Sequence, residues 1–140
     1  VRYWDTSALA PLFVEQERSD ELRSWLVEDS DVVMWTLTEV ELRSALTRLG
    51  REGRLSSKEV QDASRRVEEF RSRVHVVSLE SGVKSRAKRL LGVHTLRAAD
   101  ALQLAAALVS CSDEPSGYEL ITLDARLVDA ARREGFHVRP

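Results

Sequence analysis

Residues Tyr118 to Arg139 read YELITLDARLVDAARREGFHVR. The breakers Pro115 and Gly117 close a loop, and the short apolar run Tyr118–Thr122 after them predicts a strand. A helix is predicted from Asp124 to Glu134, ended by Gly135, and a terminal strand from Phe136 to Arg139. Strand, helix and strand in immediate succession imply a crossover connection, and hence a parallel pair of strands.

The same alternation extends back along the chain. Strands are predicted over Val1–Trp4, Asp31–Trp35 and Val74–Ser78. Helices are predicted over Arg18–Glu28, from Thr38 to a stop at Gly50 and Gly53, from Ser56 or Ser57 to Phe70, over Ser81–Leu91 and over Ala98–Ser110. Thr38-x-x-Glu41 has the form of a capping box, and Leu42, Ala45, Leu46 and Leu49 form an apolar stripe behind it. The expected fold class is therefore α/β, with a short central parallel sheet of about five strands between two helical layers. No repeat or low-complexity segment interrupts it, and 140 residues suit one domain spanning 1–140.

Composition narrows the possible functions. The formal net charge is -2, so any grip on nucleic acid must come from local basic groups. Cys111 is the one cysteine, which excludes an internal disulfide and a thiolate zinc site. No apolar run approaches the ~20 residues that span a bilayer, and no signal peptide opens the chain, so a cytoplasmic protein is expected. His75 and His137 in strands and His94 in a loop read as structural.

In parallel sheets ligands collect beyond the carboxyl ends of the strands. Asp5 directly follows the first strand and Asp124 follows the fourth. Each can also cap the helix after it, and a cap residue keeps a carboxylate oxygen free. Asp100 and Gln103 are the only polar residues between Ala98 and Val109, and they share one helix face. A helix apolar nearly all round is expected to be buried, where an ionised carboxylate needs a partner or a metal. A neighbouring backbone group or Arg97 is the alternative partner. Glu41 and Glu39 lie on opposite edges of the apolar stripe, and helical geometry does not choose between them.

Carboxylates gathered at ~5 Å in an effective dielectric near 20 repel by roughly 3 kcal/mol per pair. Such a cluster calls for cations, and an all-oxygen donor set without imidazole or thiolate selects Mg²⁺ or Mn²⁺. That equipment suits phosphodiester hydrolysis. Thr6 and Ser7 beside Asp5 are candidates for orienting its carboxylate, or for simple helix capping. Lys84, Arg86, Lys88, Arg89 and Arg97 precede the Asp100 helix and are candidate phosphate contacts, or merely a solvated face.

Four segments together resemble the PIN-domain family: Tyr3-Trp4-Asp5-Thr6-Ser7-Ala8-Leu9, Thr38-Glu39-Val40-Glu41-Leu42-Arg43-Ser44-Ala45-Leu46, Leu96 to Leu108 with its Asp-Ala-Leu-x-Leu-Ala core, and Thr122-Leu123-Asp124-Ala125-Arg126-Leu127. Their order and spacing match over the whole chain, whose length is close to that of VapC-type toxins. The resemblance implies a PIN-like three-layer α/β/α fold and assigns the second acid to Glu41 rather than Glu39. It implies catalytic and metal-binding roles for Asp5, Glu41, Asp100 and Asp124, supported by Thr6, Ser7, Gln103 and Thr122. It further implies a Mg²⁺- or Mn²⁺-dependent endoribonuclease acting on RNA, held inactive by a cognate antitoxin and usually a homodimer.

Other classes fit less well. A phosphoaspartate phosphatase would offer a second Asp where Ser7 stands, and a receiver domain would need a lysine after the Thr122 strand. A binding-only scaffold would be expected to lose acids. A housekeeping RNA-processing nuclease of the same fold remains the alternative to a toxin.

Overall fold

The computed structural model describes residues 1–139. Its elements run β1 (Arg2–Trp4), α1 (Thr6–Phe13), α2 (Ser19–Glu28), β2 (Val32–Trp35), α3 (Thr38–Arg51), α4 (Ser57–Arg71), β3 (His75–Val77), α5 (Glu80–Val93), α6 (Ala98–Ser110), β4 (Glu119–Ile121), α7 (Ala125–Glu134) and β5 (His137–Val138). Each expected strand is present, trimmed by a residue or two at its ends.

All strand pairs are parallel, in the order β3-β2-β1-β4-β5. Successive residues of a strand point to opposite faces, and each face has its own core. Tyr3, Val33, Trp35, Leu120 and Val138 pack against residues of α5, α6 and α7. Trp4, Val32, Met34 and Ile121 pack against residues of α1, α2, α3 and α4. With both faces covered, the strands carry apolar residues on each side, which is why they read as continuous apolar runs.

This wrapping fixes where a site can form. From β1 the chain steps outward to β2 and β3, with its connecting helices on one face. It then returns through α5 and α6 on the other face to β4, and steps the opposite way to β5. The reversal falls between β1 and β4, where Trp4 pairs in register with Ile121. Two crossovers leaving in opposite directions open a crevice at the carboxyl edge there. The amino edge is closed instead: the nearly buried Arg2 guanidinium pairs with Glu28 and Glu119 and donates to the Trp25 carbonyl at 2.7 Å.

Three local features differ from the sequence reading. First, α1 occupies residues 6–13 with Pro11 inside it, a segment for which no helix bounds were expected. Proline removes one helical hydrogen bond, yet Ala8, Leu9, Pro11 and Phe13 are buried and tertiary packing outweighs that loss. Second, Thr38 does not cap α3. Leu37 occupies the cap position without a side-chain bond, and the Glu41 backbone N–H bonds the Leu37 carbonyl. The Thr38 hydroxyl is buried against α6 and is used there instead. A complete capping box does form one helix later, between Ser56 and Glu59. Third, α6 is buried over Ala101 and Gln103–Leu108, but its first turn emerges from the core and leaves Asp100 half-buried. The expectation of a deeply buried Asp100 is corrected accordingly.

Candidate active site

Asp5 leaves the sheet at the end of β1, where its backbone N–H still bonds the Ile121 carbonyl at 3.1 Å. It is the N-cap of α1: its Oδ1 accepts from the Ala8 N–H at 3.2 Å and from the Ser7 hydroxyl at 2.7 Å. Capping and a site role coincide here. The carboxyl is 5% exposed, and burial pushes its pKa up to about 7 against the pull of those donors.

Ser7 and Thr122 bind the two sides of the switch point together. Their hydroxyls lie 3.2 Å apart, and Ser7 Oγ accepts from the Leu123 N–H at 2.8 Å. Thr122 Oγ1 in turn accepts from the Asp124 N–H at 3.1 Å. Asp124 caps α7, with Oδ1 accepting from Arg126 N–H at 2.9 Å and Leu127 N–H at 3.4 Å. The two aspartates after β1 and β4 are thus linked by a chain of hydroxyl bonds.

Glu41 and Asp100 arrive from the two sides of the sheet, on α3 and α6. Glu41 Oε1 accepts from Gln103 Nε2 at 3.0 Å. Burial raises its carboxyl above the ordinary glutamate range; bonds from Gln103 and Thr6 oppose that rise, and Asp100 adds repulsion. Asp100 Oδ2 accepts from the Arg97 backbone N–H at 3.2 Å, so the alternative of a local backbone partner is realised without using up the carboxylate. Glu39 points elsewhere and pairs with Arg71 at 2.9 Å. The structure therefore brings Asp5, Glu41, Asp100 and Asp124 onto one cleft of about 1370 Å³, with Thr6 and Ser7 on its wall. Glu39 is excluded.

The five basic residues expected at phosphates are not brought there. Lys84 pairs with Glu80, Arg86 with Asp113 and Arg89 with Glu134, while Lys88 and Arg97 are exposed outside the cleft lining. Lys84, Arg86, Lys88 and Arg89 lie on α5, which contributes no residue to the cleft lining, and Arg97 stands exposed at the cap of α6. The cleft has its own arginines, which sequence reading missed: Arg23, Arg48, Arg54 and Arg66. Arg23 is taken by Glu15 and Asp20, and Arg66 donates to the Phe13 carbonyl at 2.7 Å, tying α4 to the end of α1.

The donor set fits a hard divalent cation. The cleft lining contains carboxylates and hydroxyls but no imidazole or thiol. Two of its carboxyls are raised by burial, a penalty that a cation relieves. Among the described residues no three carboxylate, imidazole or thiol groups stand close enough to enclose a metal by themselves, so an ion there would have to complete its coordination with water or substrate oxygens.

A three-layer parallel fold with an oxygen-donor acidic cleft at the sheet's switch point defines the class. The PIN domain family model matches residues 2–133, and the chain belongs to the PIN-domain family. It is similar to Ribonuclease VapC49 of Mycobacterium tuberculosis, 34% identical over 139 residues, which is 99% of this chain and 94% of the relative. It is also similar to Ribonuclease VapC47 of the same species, 32% identical over 138 residues, covering 96% and 92% of the two chains. In three dimensions it resembles FitAcB from Neisseria gonorrhoeae, with a TM-score of 0.69 and 19% identity over 100% of this chain and 97% of that one.

Proposed function

We propose that this protein is a Mg²⁺- or Mn²⁺-dependent endoribonuclease, acting as one PIN domain and as the toxin of a toxin–antitoxin pair. The observation that carries the reading is that Asp5, Glu41, Asp100 and Asp124, from four separate elements, line one cleft. Relatives named as ribonucleases, at 32% and 34% identity over nearly the whole chain, support RNA as the substrate.

Asp5, Glu41, Asp100 and Asp124 would hold the cation. A bound divalent cation would supply a more acidic water and charge stabilisation at the leaving oxygen. The chain's own groups prepare that site. Ser7 and the Ala8 N–H fix the Asp5 carboxylate, Gln103 fixes Glu41, and the Thr122–Ser7 link fixes the Asp124 turn relative to Asp5. Exposed Arg48 and Arg54 on the cleft supply positive charge for RNA phosphates.

The likeness to VapC proteins supports a cognate antitoxin partner, and with it the reading takes the protein as a homodimer in the cytoplasm. Among the described residues no helix is long and apolar enough to cross a membrane. The test of the activity is cleavage of single-stranded RNA by purified protein with Mn²⁺ or with chelator, beside Asp5→Asn. Cleavage that needs the metal and is lost in the variant is expected; metal-independent cleavage, or full activity in Asp5→Asn, overturns the reading. Sedimentation showing only monomers across micromolar concentrations would remove the homodimer.

A further inference from the structure

Tyr3 sits in the middle of β1, on the opposite sheet face from the cleft helices α1–α4. Its aromatic body packs in the core with residues of α5, α6 and α7 and would be served equally by phenylalanine. Its hydroxyl has a separate use: it donates to Gln103 Oε1 at 2.6 Å, with both residues buried. The other end of that amide is the centre of the acid site. Gln103 Nε2 lies 3.0 Å from Glu41 Oε1, 3.0 Å from Thr6 Oγ1 and 3.0 Å from Thr38 Oγ1.

Donor chemistry fixes the direction of this network. An ionised Glu41 can only accept, so the NH₂ end of Gln103 must face it. The carbonyl end must then face Tyr3, whose hydroxyl supplies the hydrogen. Two amide hydrogens are shared among three acceptors, so nothing on the NH₂ side alone holds the amide in a single pose. Among the described residues the bond from Tyr3 is the one hydrogen bond to its opposite end.

We propose that Tyr3 is a positioning residue of the acid site: acting through the Gln103 amide, it holds the Glu41 carboxylate in place for the divalent cation. This inference rests on the metal-dependent reading of the cleft. Polar groups behind metal ligands typically change metal affinity by roughly 10-fold to 100-fold when removed. Loss of the Tyr3 hydroxyl belongs at the lower end of that range, because Gln103 itself remains.

Mn²⁺ binding measured by calorimetry on wild type, Tyr3→Phe, Gln103→Met and the double variant tests it, with melting curves to establish folding. Tyr3→Phe should raise the Mn²⁺ dissociation constant about 10-fold. In the Gln103→Met background the same change should matter less than about twofold, because the relay is already cut. Leu104→Ala, a buried neighbour on α6 outside the network, should lower the melting temperature yet leave Mn²⁺ affinity within about twofold of wild type. Unchanged affinity in folded Tyr3→Phe overturns the proposal, as do penalties that multiply in the double variant or a Leu104→Ala loss as large as that of Tyr3→Phe. If Tyr3→Phe fails to fold, Gln103→Met decides, since wild-type affinity in that variant equally overturns it. Wild type that binds no Mn²⁺ overturns the metal reading and this inference with it, whereas normal wild-type binding with an indifferent Tyr3→Phe overturns this inference alone.

Discussion

Burial sets an electrostatic cost on the Asp5 carboxylate. The carboxyl titrates near 7 in the folded protein, against an ordinary value of 3.8, because burial disfavours the charged form more than Ser7 and the Ala8 N–H favour it. A raised acid pKa means that the folded state binds the proton more tightly than the unfolded chain does. Its effect on stability is therefore most favourable below pH 3.8, declines as pH rises, and reaches its full penalty above about 7. The total is roughly 4 kcal/mol, of which about 2 kcal/mol falls between pH 5.5 and 8. Burial of Glu41 acts in the same direction. The metal-free protein should accordingly melt several degrees higher at pH 5.5 than at pH 8. Asp5→Asn keeps a capping oxygen for α1 and should raise the melting temperature at pH 8 while flattening the pH dependence. Scanning calorimetry in chelator checks both; a wild-type protein more stable at pH 8 would show that Asp5 is ionised at little cost.

Helices α3 and α6 each present one acid to the cleft, and the geometry of each decides which. On α3, Glu41 faces Gln103 while Glu39 pairs with Arg71. Glu41→Gln should lower RNA cleavage by about 100-fold or more, the upper scale for groups supporting a metal, and Glu39→Gln should leave it near wild type. Equal rates in the two variants, measured on one RNA substrate, would remove Glu41 from the site. On α6, Asp100 sits half-buried in the first turn rather than inside the core. Asp100→Asn should therefore keep the far-ultraviolet circular dichroism and melting behaviour of a folded protein while cleavage is lost; an unfolded variant would mark the carboxylate as structural. The helices also decide the RNA track. Arg48→Ala with Arg54→Ala should raise KM at constant kcat and flatten the salt dependence of binding, by roughly 0.7 in logarithmic slope for each phosphate no longer neutralised. Lys88→Ala, on the far layer, should do neither.

For the molecule as a whole, folding assembles like charges that the unfolded chain keeps apart. A cation that binds only the folded cleft stabilises by mass action, by about 2.7 kcal/mol at 100 times its dissociation constant. For a chain of this size each kcal/mol moves the melting temperature by roughly 2–6 °C. Mn²⁺ should raise the melting temperature by several degrees, more at pH 8 than at pH 5.5 because the ligating carboxylates must be ionised. No Mn²⁺ response at either pH would overturn the metal-dependent reading of the cleft.

The alternation of strands and helices, and with it a parallel sheet covered on both faces, is legible in the residues alone. Short apolar runs, Gly135 at the end of α7 and a serine cap at the start of α4 are local signals, legible because local backbone chemistry sets them. The sequence also placed Asp5 and Asp124 at strand ends, where any parallel sheet puts its site. The remainder depends on contacts between distant segments. Thr38 and Glu41 have capping-box spacing, yet a buried amide on α6 recruits both side chains, and no local rule can see Gln103 across the sheet. Asp100 reads as buried because its helix is apolar, but burial of one turn depends on what packs beside that turn. Lys84, Arg86, Lys88 and Arg89 form a basic run in sequence on α5, which contributes nothing to the cleft lining, while Arg48 and Arg54, unremarkable in the chain, reach it. The hydroxyl of Tyr3 gives no sequence signal within an apolar strand. Its partner lies 100 residues away, and the wrapping of the sheet alone brings the two within 2.6 Å.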